Sequence, residues 1–292
     1  MRKIAFFLVS ALLLCTSCTK IKQAFHYGTA TAEAMEEDYN QKGQKFINVD
    51  FCSPDSMVVL STVFPAVGDL RSAGSTPLTD SIIAYIGNCF EGFAGAYMQT
   101  HDPQKAIERA GNAKHRSFTK EISDMKSELE GDIPEYMFAW EYENSVEIEY
   151  DLERYVTIIN KTYEYQGGVH GMSTFYGTSF DKATGRVIDK SIFKHTGSAS
   201  FMALFKKELL DYFLSEDDTE EESDLSMFLL IEPENLSVDD SNMRLTDHSI
   251  IFLYQPYEIA AYAYGFPSVE LSFQQLKPYL TAEGLRLIGD VR

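Results

Sequence analysis

The sequence predicts an α+β fold with mainly antiparallel sheets, helices packed on one face, and two intimately associated subdomains. Stretches with alternating apolar residues and stretches with helical apolar spacing occur in separate blocks. Such segregation favours an α+β fold over a parallel α/β fold. Of the 292 residues, 45% are hydrophobic, and they include 20 Phe and 17 Tyr. This content is enough for a large packed core.

Residues 1–17 have the pattern of a lipoprotein signal peptide. Two basic residues precede a short apolar run that ends in small residues and Cys18, and this run is too short for a permanent membrane-spanning helix. Cleavage before Cys18 leaves the small residues Thr16 and Ser17 beside the scissile bond, whereas cleavage before Cys15 would leave two leucines. We therefore expect acyl chains on Cys18 to anchor the protein to a membrane.

Residues 18–44 are mostly polar and are expected to form a tether. The leader resembles those of Bacteroides-type lipoproteins, in which an acidic cluster after the lipidated cysteine marks export to the cell exterior. Thr-Lys-Ile-Lys follows Cys18 instead. The resemblance therefore implies a lipid anchor in the cell envelope, at the periplasmic face of the outer membrane.

The N-terminal region, residues 45–165, is predicted to begin with two strands over 46–52 and 57–64, separated by a Ser-Pro-Asp turn. A helix capped by Thr76 or Thr79 follows them. Its apolar residues recur at steps of three and four residues and form one stripe facing a core: Ile82, Ile86, Phe90, Phe93 and Tyr97.

Two shorter helices are expected next in this region. The first starts at Pro103 and ends at Gly111, and Ser117 caps the second. The apolar pattern then changes to alternation, which predicts a strand over residues 136–150 and another over 155–165.

The C-terminal region, residues 166–292, is predicted to hold a hairpin, a helix over 201–213 and further strands. The acidic run over 216–224 lacks the oxygen spacing of a calcium loop, so we expect a solvated loop there. The other predicted elements are the hairpin strands 174–180 and 186–189, the strands 243–245, 250–254 and 268–273, and a helix over 274–280.

Two motifs of this region are candidates for a functional site. The first has three glycines in five residues, which allows a tight turn with a histidine at its tip. The second, about eighty residues later, is rich in tyrosine around one carboxylate. The candidate residues, either for binding or for a structural contact, are Gly167, Gly168, His170, Gly171, Tyr257, Glu258 and Tyr262.

Together with the hairpin loop over 181–185, these motifs resemble the RsiV/PdaC-type extracytoplasmic module. This module is domain of unknown function 3298, preceded by a region like domain of unknown function 4163. The family has a Gly-Gly-x-His-Gly turn, an Asp-x-x-Thr-Gly hairpin and a Tyr-Glu-Ile-Ala-x-Tyr-Ala-x-Gly segment in this order. The resemblance implies an α+β module of the cell envelope.

The same resemblance bears on activity. In RsiV the module binds lysozyme, and in PdaC it precedes a carbohydrate deacetylase domain. The sequence holds neither the sigma-binding segment of RsiV nor the metal motif of that deacetylase domain. We therefore expect neither the sigma-factor signalling of RsiV nor the deacetylase reaction of PdaC.

Charge and composition exclude several other function classes. The net charge is −19, and the leader removes two of 25 basic residues and no acidic one, so the mature chain carries −21. This charge disfavours binding to nucleic acid. The six His lack metal-ligand spacing, and there is no Gly-x-Ser-x-Gly elbow, so we expect neither a metal nor a cofactor. Both a disulfide and two buried thiols fit Cys52 and Cys89.

These observations favour a non-enzymatic envelope lipoprotein that binds a cell-wall-related partner, either a lysozyme-like protein or peptidoglycan. An acidic surface attracts a strongly basic lysozyme. Two alternatives stay open. One is an enzyme that acts on peptidoglycan or another glycan through His170 and Glu258, and the other is a structural envelope lipoprotein without a small ligand.

Overall fold

The computed structural model describes residues 46–66, 76–129, 131, 134–216 and 224–289. The predicted signal peptide, the lipidated Cys18 and the tether lie outside the described residues. The described part belongs to one compact unit, residues 44–292, and its sheets and helices confirm the α+β prediction.

No helix among the described residues combines the length and the apolar character needed to cross a membrane.

The described strands form a six-stranded sheet, in the order β1 to β6, and a three-stranded sheet, in the order β7 to β9. The β2–β3 pair is parallel, since the connection between them crosses over through three helices, and the other pairs are antiparallel. The strands are β1 (Phe46–Cys52), β2 (Val58–Pro65), β3 (Glu141–Asp151), β4 (Tyr155–Tyr165), β5 (Met172–Asp181), β6 (Val187–Ile188), β7 (Asn242–Leu245), β8 (Ser249–Leu253) and β9 (Ser268–Ser272).

The helices pack as separate groups on the two sheets. The first three connect β2 to β3 and cover one face of β1, β2 and β3, whereas the fourth packs on β9. The helices are α1 (Pro77–Cys89), α2 (Phe93–Thr100), α3 (Pro103–Glu128), α4 (Ala199–Glu216), α5 (Phe273–Leu276) and α6 (Ala282–Ile288).

The predicted apolar stripe of the first helix is divided between α1 and α2. Thr76 caps α1 by accepting a hydrogen bond from the backbone N–H of Thr79. A turn follows in which Gly92 has φ +80°, so the helix does not run through as predicted. Phe90 and Phe93 on the two sides of the turn are still buried, with ring centroids 6.1 Å apart, because the turn keeps both rings in the core.

The prediction of two short helices after Pro103 is wrong, since α3 runs through both expected boundaries. Gly111 does not end the helix: it faces Phe51 of β1, and a Cβ at this position would lie 2.0 Å from the ring. Ser117 does not act as a cap, because its hydroxyl donates to Glu121 one turn later, at 2.7 Å. Gly111 therefore lies inside a continuous helix, where the absence of a side chain allows Phe51 to pack closely against it.

The strand predicted from residue 136 begins later. A 3-10 turn occupies Glu135–Phe138, and β3 starts at Glu141. The prediction at 155–165 coincides with β4. Near the C-terminus, the helix expected over 274–280 is a four-residue helix followed by a 3-10 turn, and α6 was not predicted.

The two hydrophobic clusters of the described residues meet at the β4–β5 pair. One cluster lies between β1 to β5 and α1 to α3, and the other surrounds β7 to β9 and α4. Thr157 of β4 donates to the Leu245 carbonyl of β7 at 2.7 Å, and Ser179 of β5 accepts from the Leu245 N–H at 2.9 Å. The boundary predicted at 165/166 stays a prediction, and it falls between β4 and β5, which pair along their length.

Candidate functional site

The glycine-rich motif forms the turn between β4 and β5. Gly167 and Gly168 have φ values of +82° and +101°, a region that side chains disfavour and glycine adopts freely. The Tyr165 hydroxyl donates to the Gly168 carbonyl at 3.0 Å and closes the turn. Val169 at its apex is 99% exposed. The turn is thus an ordered projection with an apolar side chain at its end.

The tyrosine-rich motif forms a loop between β8 and β9. The Glu258 carboxylate accepts a hydrogen bond from the backbone N–H of Gln255 at 2.7 Å, and the Glu258 N–H donates to the Gln255 carbonyl at 3.1 Å. Tyr257 between them has φ +67° and is 51% exposed. A left-handed backbone is uncommon for an aromatic residue and often marks a functional position.

The side chain of Gln255 fixes the tyrosine loop to β5. Its amide nitrogen donates to the Phe175 carbonyl at 2.8 Å, and its amide oxygen accepts from the Phe175 N–H at 3.1 Å. Asn242 makes the same pair of bonds to Gly177, at 3.0 and 2.7 Å. The two amides hold the loop and β7 against the strand that leaves the glycine turn.

The two motifs meet in a stack of aromatic rings. His170 lies on Tyr262 with ring centroids 4.4 Å apart and planes 21° apart, and Tyr257 follows on Tyr262 at 5.7 Å and 29°. The Tyr262 hydroxyl donates to the Gly171 carbonyl at 3.2 Å, and His170 Nδ1 donates to the same oxygen at 2.9 Å. The candidate residues of the turn and of the loop therefore form one surface, which we call the tip surface: Val169, His170, Tyr257 and Tyr262.

Sequence reasoning missed two residues that build this surface. The Tyr163 ring lies against Gly171, where a Cβ would come within 2.4 Å of it, and Gln255 positions the loop as described above. The alternation over residues 155–165 gives Tyr163 no mark of its own, and in the β4–β5 register it lies opposite Ser173, two residues beyond Gly171. No sequence signal marks Gln255, because its partner is a backbone group 80 residues away.

The enzyme alternative needs His170 and Glu258 to act together in proton transfer. Glu258 is tied to Gln255 and His170 to Gly171, and the described residues show no hydrogen bond or ion pair between His170 and Glu258. They also contain no group of three His, Cys, Asp or Glu side chains placed to hold a metal ion.

The sequence left open whether Cys52 and Cys89 form a disulfide or remain two thiols, and the structure shows two thiols. Cys52 at the end of β1 donates to the Ser53 carbonyl at 3.4 Å. Cys89 lies at the end of α1, where burial raises the pKa of its thiol to about 12. Cys52 and Cys89 thus do not form a disulfide in this structure, and burial disfavours the reactive thiolate form of Cys89.

Two family models match separate parts of the chain. Residues 91–173 match the model described as deacetylase PdaC, and residues 190–274 match the protein of unknown function DUF3298. The chain carries the PdaC/DUF3298 module. The glycine turn lies in the PdaC segment and the tyrosine loop in the DUF3298 segment, so the stacked rings join the two segments of the module.

Solved structures of the DUF3298 family share this fold. A member from Bacteroides fragilis is 17% identical with a TM-score of 0.60, over 82% of this chain and 93% of that chain. A member from Pseudomonas aeruginosa is 15% identical with a TM-score of 0.50, over 83% of this chain and 96% of that chain. No curated protein matches the sequence significantly. At these identities the likeness establishes the fold of the PdaC/DUF3298 module.

Proposed function

We propose that this protein is a lipid-anchored, non-catalytic recognition module of the cell envelope. Its tip surface binds a basic protein that acts on the cell wall, of the lysozyme kind. The main observation that supports this proposal is the projecting turn with Val169 at its apex. An aromatic stack of His170, Tyr262 and Tyr257 lies beside it.

The shape of the tip surface suits a partner with a cleft. A turn whose apical side chain is almost fully exposed is convex, so it can enter a concave site. Tyrosine is enriched among the residues that dominate binding energy, and Tyr257 is held outward by its left-handed backbone. Because hydrogen bonds to Gly168 and Gly171 already order the turn, little conformational entropy is lost on binding.

The charge of the protein supports a basic partner. With 44 acidic and 25 basic residues, the surface attracts cationic proteins and accelerates their encounter at low salt. Enzymes that approach an anionic cell wall are commonly basic for the same electrostatic reason. A strongly basic lysozyme is therefore the partner that the composition favours.

Peptidoglycan is the second candidate ligand. The open faces of the stacked His170 and Tyr257 rings could contact sugar rings, since aromatic side chains combine an apolar face with a polar edge. The convex shape of the turn favours a protein cleft over a glycan chain. Sedimentation of the protein with purified cell wall tests this alternative.

The direct test uses hen lysozyme and a series of salt concentrations. We expect binding that weakens as salt rises, and an increase in Kd of about tenfold in Tyr257→Ala, the scale of a moderate hot spot. The matched control is Met98→Ala on α2, because Met98 is also strongly exposed, at 71%, and lies outside the tip surface. Lack of binding even at low salt rejects the lysozyme version.

The enzyme alternative has its own experiment. Cell wall incubated with the wild-type protein and with His170→Ala should give identical muropeptide profiles if the protein is not a catalyst. A product formed by the wild type and lost in the variant would establish glycan chemistry instead.

The anchor is tested by cell fractionation. We expect the wild-type protein in the outer-membrane fraction and Cys18→Ser in the soluble fraction, because acyl chains on Cys18 would supply the membrane affinity. Membrane retention of the variant contradicts lipidation at this residue.

A further inference from the structure

The six-stranded sheet has one covered face and one open face. On β2, Val58 and Leu60 are buried against the helices, whereas the intervening Val59 and Ser61 point to the other face and are only half-buried. Within the described residues, the second sheet contacts this other face at Thr157 and Ser179 and, through Asn242, at Gly177 of β5. Arg244 of β7 also reaches β3, where it pairs with Glu149 at 2.8 Å. We call the remaining part of this face, on β1, β2 and the parts of β3 and β4 nearest the tip surface, the open face.

The open face is acidic and carries tyrosines. Glu141 and Glu143 are two residues apart on β3, so they project to the same side of the sheet. In the β3–β4 register Glu141 lies opposite Tyr165, and Glu143 lies opposite Tyr163. Two carboxylates and two aromatic rings are thus neighbours on one surface.

Neither Glu141 nor Glu143 makes a hydrogen bond or an ion pair among the described residues. Glu141 is exposed to water, whereas Glu143 is half-buried. Burial, followed by the charge of Glu141, raises the pKa of Glu143 above its ordinary range. Glu147 on the same strand differs, because Lys161 pairs with it at 3.3 Å. A partly desolvated carboxylate without a cation destabilises the protein that holds it.

The open face is continuous with the tip surface. Tyr163 lies opposite Glu143 on the neighbouring strand, and its ring packs against Gly171, whose carbonyl accepts the hydrogen bond of Tyr262. A partner that covers the tip surface therefore comes within reach of Glu143.

We propose that the open face receives arginine or lysine side chains of the partner that the tip surface engages, with Glu143 as the central contact. This inference rests on the proposed function and deepens it. Carboxylates accept charge-assisted hydrogen bonds from such cations, and tyrosine rings attract them through their π faces. The partner's cation supplies the compensation that Glu143 lacks in the unbound protein.

The first measurement concerns the unbound protein. The folded-state pKa of Glu143 is raised, so the folded state disfavours the ionised form, and the resulting loss of stability develops as pH rises above the ordinary glutamate pKa. Glu143→Gln should therefore raise the Tm by about 2 °C at pH 7, and the gain should disappear near pH 4. Glu147→Gln, which breaks the pair with Lys161, should not raise the Tm.

The second measurement uses two probes, hen lysozyme and a synthetic peptide of ten arginines. Glu143→Gln should increase Kd about tenfold for both probes, whereas Glu234→Gln, which removes the same charge from an exposed position outside the open face, should change Kd less than twofold. Equal losses in the two variants overturn the proposal, because they show only a general charge effect.

The two probes distinguish the two proposals. If lysozyme does not bind while the arginine peptide binds and depends on Glu143, the proposed function fails and the cation site stands. If lysozyme binding depends on Tyr257 and is unchanged in Glu143→Gln, the proposed function stands and the inference about the open face is refuted.

Discussion

The two ends of the β4–β5 pair differ in burial: one end is buried against the second sheet, and the other is open to solvent. At one end Thr157 and Ser179 are fully buried, and their hydroxyls bond to each other and to the Leu245 backbone of the second sheet. At the other end the strands lead into the turn of Val169 and His170, which is open to solvent. The buried end joins the two sheets, and the free end leaves aromatic rings available to a partner.

Glycines with positive φ occur beyond both ends of β5, in different surroundings. Gly185 has φ +72° and lies against the backbone of Pro77, where a Cβ would come within 2.3 Å of the carbonyl carbon. Gly168 has φ +101°, and a Cβ there would meet nothing within 4 Å. The same substitution at the two sites therefore separates the roles of packing and backbone conformation.

The largest effect is expected for Gly185→Ala. The added methyl group meets backbone atoms and the left-handed φ is strained, so unfolding free energy should fall by about 3 kcal/mol. Urea denaturation measures the loss. A change below 1 kcal/mol would show that this end of the sheet is as adaptable as the tip.

A smaller loss is expected for Thr157→Val. The variant keeps the shape of the side chain but removes the hydroxyl bonded to Ser179 and to the Leu245 carbonyl. The buried carbonyl then loses a donor, at a cost of about 2 kcal/mol. Thr162→Val is the control, because Thr162 lies on the same strand towards the tip and is half-buried; it should change stability by less than about 0.5 kcal/mol.

Gly168→Ala should cost less than the change at Gly185. Only the backbone conformation is penalised, and we expect a loss of about 1 kcal/mol. Thermal unfolding of both glycine variants under one condition gives the comparison. Equal losses in the two variants would mean that packing against Pro77 contributes nothing.

The smallest effect is expected for Tyr257→Asn, and it has the opposite sign. Asparagine tolerates the left-handed backbone better than tyrosine does, so relief of strain should outweigh the lost contact with Tyr262 and raise stability by about 0.5 kcal/mol. Binding to lysozyme should weaken in the same variant. A variant that is less stable and binds normally would make Tyr257 a structural residue.

Elements with strong local patterns were predictable. Alternation located β4 at its observed bounds, and apolar spacing with a capping threonine located the start of α1. The errors arose where a distant residue decided the outcome. Gly111 has the local signature of a helix end, yet contact with Phe51 of β1 makes it an interior packing position.

The residues of the candidate site also differ in whether a local pattern or a distant contact determines their role. Gly167, Gly168 and His170 were found from sequence, because glycine clusters report backbone conformations that other residues disfavour. Glu143 was not found, because an alternating strand gives no indication of which acidic residue will acquire a cation and which will not. Lys161 reaches Glu147 across the strand pair, and only the register shows this.

The sequence by itself determined the class of fold, the positions of the two motifs and the acidic character of the surface, since these follow from local spacing and composition. Only the tertiary structure decided that His170 stacks on Tyr262, which lies 92 residues later in the chain. It also decided that Gln255 fixes the tyrosine loop to Phe175. The physical reason is that stacking and amide pairing depend on distances between chain segments, which local propensities do not encode.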